Sequence, residues 1–478
     1  MSNSGALLIS ERLAQFASSL RYEDIPVAVR ERAKYLVLDA VGIALASSRQ
    51  PFAQAALAGL ASFGTGDAIV IGIRDRLPLR DAMIMNGVLV HGLDYDDTHM
   101  EGVVHTSASC FPCSFGVAAQ LGGGGKDFLT AFVLGTEVAA RLGMVAKGAL
   151  HQAGFHPTGM LAPFACALIA GKLYGLDAEK IVMAQGIALS TGSSSSRQFN
   201  PEAAASKRLH PGWGAAAGVT AAALAQHGFT GPRAAYEGDY GLYPAHLGAR
   251  FEQCNLDAAT AGLGHDWETL NVAIKPIPAC HLVHACADAA AAISRAHPIK
   301  PSDITSVRAL VPAEAIQVVC EPVEQRRRPA TGYAAQFSIF YAVASGLARG
   351  RFSLHELEPA AIADPEILAL AQKVEYKADP KSEYPRYFSG EVIVKTKHGH
   401  EYSQREHINR GAPARPLSSQ DIVRKFMDNA SLAVTASVAS GIVEAVSRIE
   451  SCERIISLGE LLREAVLDAA AVVPHRAA

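Results

Sequence analysis

The feature that most constrains this chain is a change of hydrophobic period near Asn271. Before it, apolar residues recur at helical spacing almost throughout. After it, short stretches alternate with the two-residue period of a strand. Within residues 30–46, Ala33, Leu36, Val37, Ala40, Val41 and Ala44 fill one face of an expected helix. Residues 127–142 and 214–225 repeat that character. Residues 304–311 (ITSVRALV) alternate and are rich in β-branched side chains, whereas 391–395 and 400–405 read as a hairpin turning at 397–399. Helical stretches at 286–294 and 334–347 lie between them, and helix returns at 421–432 and 434–448. The expected fold is mainly α with a smaller α+β domain. A large helical domain spans 1–270 and is completed by 408–478, with an α+β lid domain inserted at 271–407. A cleft between two such units is a preferred place for a small ligand.

Composition narrows the classes of function. The 478 residues are 49% hydrophobic and 19% charged, which suits a packed core and not a disordered chain. With 43 Lys and Arg against 46 Asp and Glu there is no basic excess, so no nucleic-acid partner is expected. The short run Arg326 to Arg328 reads as a solvated loop or an anion contact. No stretch reaches about 18 consecutive apolar residues, so no membrane span is expected. Glu11 and Arg12 interrupt the place where a signal peptide needs an apolar run, which predicts a cytoplasmic protein. Eight scattered cysteines are too sparse for a disulfide scaffold, and Cys110 and Cys113 read as thiols in a helix–helix packing surface. Glycines 122–125 read as a connection between helices. No GxGxxG follows a strand and no GxSxG is present, so neither a dinucleotide cofactor nor a serine nucleophile has support.

The chemistry concentrates around histidine. Of 17 histidines, several sit in motifs with Gly, Pro or a charge: HGLDYDDTHMEGVVH (91–105), GFHPTG (154–159), KRLHPG (207–212) and KPIPACHLVH (275–284). The first motif admits three readings. Histidines and carboxylates can hold zinc or iron, although HExxH and DDxxD are both absent. Asp96 and Thr98 could only cap the next helix. The third reading is acid–base chemistry or substrate positioning, since imidazole exchanges protons near neutral pH. No metal or other cofactor is expected. Lys207 and Lys275 beside prolines and histidines, with Arg197 after four serines, are the cations that a di- or tricarboxylate requires when it leaves water.

At these motifs the sequence resembles the MmgE/PrpD family, which includes 2-methylcitrate dehydratases, cis-aconitate decarboxylases and iminodisuccinate epimerases. The resemblance rests on NGVLVHGLDYDDTH (86–99), GFHPTG, SKRLHPGWGAAAGVTAAALA (206–225), GFTGP (228–232), KPIPACHLVHACADA (275–289) and AAQFSIFYAVASGL (334–347), in the family's order. It implies a helical large domain, a mixed lid and a homodimer. It also implies site positions at Asp94, Thr98, His105, His156, Lys207, Lys275 and His281, with Tyr341 as a looser match. His99 rivals His105, and His284 rivals His281. The shared chemistry is a carbanion or enolate-like dianion beside a carboxylate, which fixed cations in a dry cleft stabilise. Lys207, Lys275 and Arg197 are expected to hold carboxylates, with Thr98 orienting one of them or a leaving hydroxyl. His105, His156 and Asp94 are expected to share proton transfer.

The resemblance therefore implies a cofactor-independent lyase acting on a di- or tricarboxylate. Two alternatives stay open: an epimerase of an imino- or amino-dicarboxylate, and a binding protein that keeps the fold without the chemistry. The segment Asp94-Tyr95-Asp96-Asp97-Thr98-His99 departs from the Asp-Phe-Asn-Asp-Thr-Trp type of the 2-methylcitrate dehydratases, which counts against that substrate.

Overall fold

The structure is a computed structural model that describes residues 7–196, 205–384 and 386–464. Its larger core is helical. The helix Val27–Ser47 carries the expected apolar face, and every side chain from Leu36 to Ser47 along it is buried. That all-round burial marks a central helix and not a surface one. Around it stand Leu79–His91, Ser107–Leu121 and Gly125–Ala146. Pro157–Leu173 and His210–Gln226 form the most extensive helix–helix contact. Small residues make that contact possible. A Cβ on Gly214 would overlap Ala162, and one on Gly218 would overlap Cys166 and the Pro163 carbonyl. The glycines at 122–124 join Ser107–Leu121 to Gly125–Ala146, as the sequence suggests. Cys110 and Cys113 lie buried on the first of these helices.

Among the described residues, Gly125–Ala146 is the one helix long and apolar enough to cross a bilayer. However, 94% of its most apolar window is buried by neighbouring protein, as for a core helix.

The chain leaves this core near Ile274 and returns to it at Leu417. The helix Ser419–Ala430 packs on Val27–Ser47, where Lys425 pairs with Asp39 at 2.6 Å and donates to the Tyr95 carbonyl at 3.0 Å. Between these points a second hydrophobic core, drawn from Ile277 to Val394, surrounds a four-stranded sheet. The strand order is Val374–Ala378, Ile304–Val311, Gly390–Thr396 and Glu401–Glu406. The last two form the expected hairpin, with Val392 opposite Gln404. The first strand is unexpected and runs parallel to Ile304–Val311, with Ala309 opposite Tyr376. Helices His284–Ala296 and Ile339–Arg349 cover one face of the sheet. The fold is mainly α with a smaller α+β part, in agreement with the change of period.

Candidate active site

Each chemically capable side chain is delivered where a regular element stops. The helix Leu79–His91 ends at Gly92, and the chain then turns with Asp94 at φ 48°. Aspartate tolerates this left-handed region better than most residues because its short side chain bonds locally. The two-residue strand Thr98–His99 pairs with Val272–Ala273, Thr98 facing Ala273, which brings the following Lys275 beside the Asp94 turn. The chain doubles back between His99 and Val104 through Val103 at φ 52°, a strained geometry for a β-branched residue, and His105 follows. His156 is the residue before the helix Pro157–Leu173, and Lys207 sits in the single-turn helix Ala205–Leu209 that leads into His210–Gln226. A Cβ on Gly87 would overlap the backbone of Gly212. That close approach holds the Lys207 turn against the helix that leads into the Asp94 turn.

Asp94, Thr98, His105, His156, Lys207, Lys275 and His281 line one cavity of about 90 Å³, walled elsewhere by Val103, Phe337, Tyr384 and Phe388. It suits a compact molecule rather than the larger ligands that fill ~300–1,000 Å³. The Lys207 ammonium donates to Asp94 Oδ1. Lys275 Nζ donates to the Asp94 carbonyl at 2.8 Å and lies 3.5 Å from Oδ2. Burial would raise the Asp94 pKa, but the two ammonium groups overcome it and hold the carboxyl well below its usual range.

The imidazoles are held in defined orientations. His105 Nδ1–H donates to the Asp97 carbonyl at 2.7 Å, with Thr98 Oγ1 at 3.3 Å, so its lone pair lies on Nε2. Burial pushes its pKa down to about 3, against the opposing pull of Asp96, whose carboxylate lies 3.7 Å from Nδ1. His91 Nδ1–H donates to Asp96 Oδ2 at 2.7 Å. Its ring stacks on His156, with centroids 5.5 Å apart. His156 faces His210 Nδ1 to Nδ1 at 3.1 Å, and burial, helped by Lys207, pushes its pKa well down. The Asn409 amide donates to His281 Nε2 at 2.7 Å. A neutral imidazole with a fixed tautomer can accept a proton, and its cation would then be stabilised by the buried Asp96.

One other expected residue lies apart from the cavity. Tyr341 is buried in the smaller core, where its hydroxyl donates to the Glu356 carbonyl at 2.7 Å. Arg197 lies outside the described residues. Of the rival pairs, His105 rather than His99 reaches the cavity. His99 Nε2 is bonded to Glu268 at 2.9 Å, and its Nδ1 accepts from Gly102 N–H. His281 lines the cavity too, whereas His284 stands behind it and donates Nε2–H to the Ala279 carbonyl at 3.1 Å. The helix-capping carboxylate belongs to Asp97 and not Asp96. It accepts from the Thr106 and Ser107 amides at 3.0 and 3.2 Å, and burial pushes its pKa up to about 7. His91 and His210 were visible inside the motifs but carried no assigned role. Asn409 and Tyr384 had no sequence signal.

Paired ammonium groups on one aspartate, with neutral imidazoles lining the same small cavity, are the equipment of an enzyme for acid–base chemistry on a small anion. The chain belongs to the MmgE/PrpD family: residues 11–253 match the MmgE/PrpD N-terminal domain and 277–450 the C-terminal domain. It is 28% identical over 471 residues to the cis-aconitate decarboxylase of Homo sapiens, which covers 95% of this chain and 94% of that protein. It is 26% identical to the cis-aconitate decarboxylase-like protein oryM of Aspergillus oryzae, over 95% of this chain and 97% of that one. A cis-aconitate decarboxylase of Aspergillus terreus is 28% identical over 77% of each.

Proposed function

We propose that this member of the family is a cofactor-independent carboxy-lyase for an unsaturated tricarboxylate of the cis-aconitate kind. The observation that carries the reading is the Lys207–Asp94–Lys275 cluster lining the same small cavity as the imidazole of His105. The relatives named as cis-aconitate decarboxylases support the substrate class. In this reading the Lys207 and Lys275 ammonium groups, both anchored on Asp94, bind substrate carboxylates. Arg197 belongs to the same set of anion-binding groups, and Thr98 orients a carboxylate. One carbon–carbon bond breaks, carbon dioxide leaves, and the electron pair delocalises toward a carboxylate held by the ammonium groups. An imidazolium then returns a proton to carbon. His105 is the proton carrier, assisted by His156, with His281 lining the same cavity. The imidazoles are neutral in the unliganded protein, and a bound trianion raises their proton affinity to the level this step needs.

The protein is further read as a cytoplasmic homodimer. The helix His210–Gln226 exposes Trp213 and Leu224 at helical spacing, with Leu209 and Phe229 at its ends, a stripe suited to a second copy. Sedimentation at micromolar concentration should give a dimer, with Trp213→Glu shifting it to monomer. A monomeric native protein would overturn this part.

Purified protein incubated with cis-aconitate, 2-methylcitrate and iminodisuccinate in deuterated water, followed by NMR, tests the reaction. Carbon dioxide release from cis-aconitate with one deuterium retained on carbon is the expected result. Water loss from 2-methylcitrate would make it a dehydratase, and α-deuteration of iminodisuccinate without net conversion would make it an epimerase. No turnover of any acid would leave a binding protein.

A further inference from the structure

Beside the cavity-lining His105 and His156, the buried His91 completes a trio of imidazoles that the proposed reaction does not require. His91, His105 and His156 each offer a ring nitrogen, and these atoms lie within 4.8 Å of one another. His91 is 1% exposed, and its Nε2 meets no hydrogen-bond partner, although an unpaired buried polar atom is costly. The two rings whose tautomers are fixed are held from the far side: His91 by the Asp96 carboxylate and His105 by the Asp97 carbonyl. A carboxylate or carbonyl on one ring nitrogen is the usual second partner of a metal-ligating histidine, because it points the other nitrogen's lone pair at the ion.

We propose that His91, His105 and His156 form a site that takes up a first-row divalent cation of the zinc type, reversibly and from the cavity side. Imidazole suits Zn²⁺, Co²⁺ and Ni²⁺, whereas Mg²⁺ and Ca²⁺ prefer oxygen ligands, so selectivity follows from the ligand set. A four-coordinate zinc–imidazole site needs nitrogens about 3.4 Å apart, given bonds of about 2.0–2.1 Å. The trio therefore contracts by up to about 1.4 Å on binding, with the fourth position open to the cavity. Lys207 and Lys275 oppose a cation here. Asp94 is shared between both lysines, and Asp96, whose Oδ1 is also unpartnered, supplies the charge behind the trio. A bound ion would occupy the imidazoles that the proposed reaction uses, so it would inhibit rather than serve turnover. That consequence rests on the proposed function; the site itself does not.

The test is a Co²⁺ titration of chelator-treated, full-length protein, read by visible absorption and therefore independent of any activity. The expected result is one equivalent bound with the intense bands of a four-coordinate site, displaced by Zn²⁺ and untouched by excess Mg²⁺. Asp96→Asn should weaken binding about 10–100-fold. His91→Gln and His156→Gln should each abolish the bands, and His99→Gln, outside the trio, should keep them. Folding of each variant is checked by circular dichroism, and either trio variant suffices if the other fails to fold. No bands with millimolar Co²⁺, or unchanged bands in a folded trio variant, would overturn the site.

Discussion

At the scale of single residues, Asp94 and His105 show how burial and charge are set against each other. Asp94 is deeply buried yet ionised because two ammonium groups reach it, and His105 is only partly exposed and neutral although Asp96 lies near. His105→Asn removes the proposed proton carrier while keeping a donor toward the Asp97 carbonyl. It should lower kcat by about 10²–10⁴, the range for a positioned acid or base, with KM little changed. Steady-state kinetics at pH 7 check this, and a wild-type kcat would remove His105 from the mechanism.

The imidazoles also set the pH dependence of stability. Burial lowers His105 and His284 to about 3 and His210 to about 4, and it lowers His91, His156 and His281 as well. The unfolded chain, with histidines near 6.5, binds more protons than the folded one between that value and about 3–4. Stability therefore rises with pH across this window and is lost as pH falls through it, by about 1.4 kcal/mol per pH unit for each such proton. Asp97 runs the other way, since its raised pKa of about 7 favours the folded state on the acid side and offsets one histidine. Thermal melts should show Tm dropping steeply between pH 6.5 and 5. A flat profile would contradict the burial of these rings.

At the scale of elements, the site depends on how closely two helices approach. Gly87→Ala would drive a methyl into the Gly212 backbone, so it should cost about 1–3 kcal/mol and shift the Lys207 turn away from Asp94. Gly441 lies in the helix Ala436–Ser447 with nothing near its would-be Cβ. Gly441→Ala should gain about 1 kcal/mol from helix propensity alone. Denaturant melts of the two variants, with turnover measured beside them, separate close packing from propensity. Equal effects would show that the Gly87–Gly212 contact is not what holds the site.

The helices and the hairpin were legible because burial follows the residue period. Residues 30–46 lie within Val27–Ser47, and Ile304–Val311 matches the alternating run to the residue. The parallel strand Val374–Ala378 was not legible, since it has five residues and buries only Val374. Within the site, the motifs supplied most of the cavity-lining residues. The separation of His105 from His99 depends on the tight turn through Val103, which no spacing rule encodes. Asn409 approaches His281 from 128 residues away, a distance across which local patterns carry no information.

At the scale of the whole molecule, the helix Ser419–Ala430, with which the chain rejoins the larger core, ties itself to the site turn through Lys425, which pairs with Asp39 and bonds the Tyr95 carbonyl. Asp39→Ala would leave a buried ammonium without its carboxylate and should cost about 3–5 kcal/mol. The same change should reduce turnover, because Tyr95 adjoins Asp94. A melt within 1 kcal/mol or so of wild type, on the scale expected for exposed pairs, would contradict a structural role for this pair.

In the proposed reaction, side-chain cations, with no bound cofactor, stabilise negative charge developing on the substrate. Lys207→Met tests it most directly, measured as kcat/KM on cis-aconitate at fixed pH with folding verified. The account predicts a fall of about 10²–10³, the loss typical of removing one preorganised donor to developing charge. A folded Lys207→Met protein that releases carbon dioxide at the wild-type rate would contradict it.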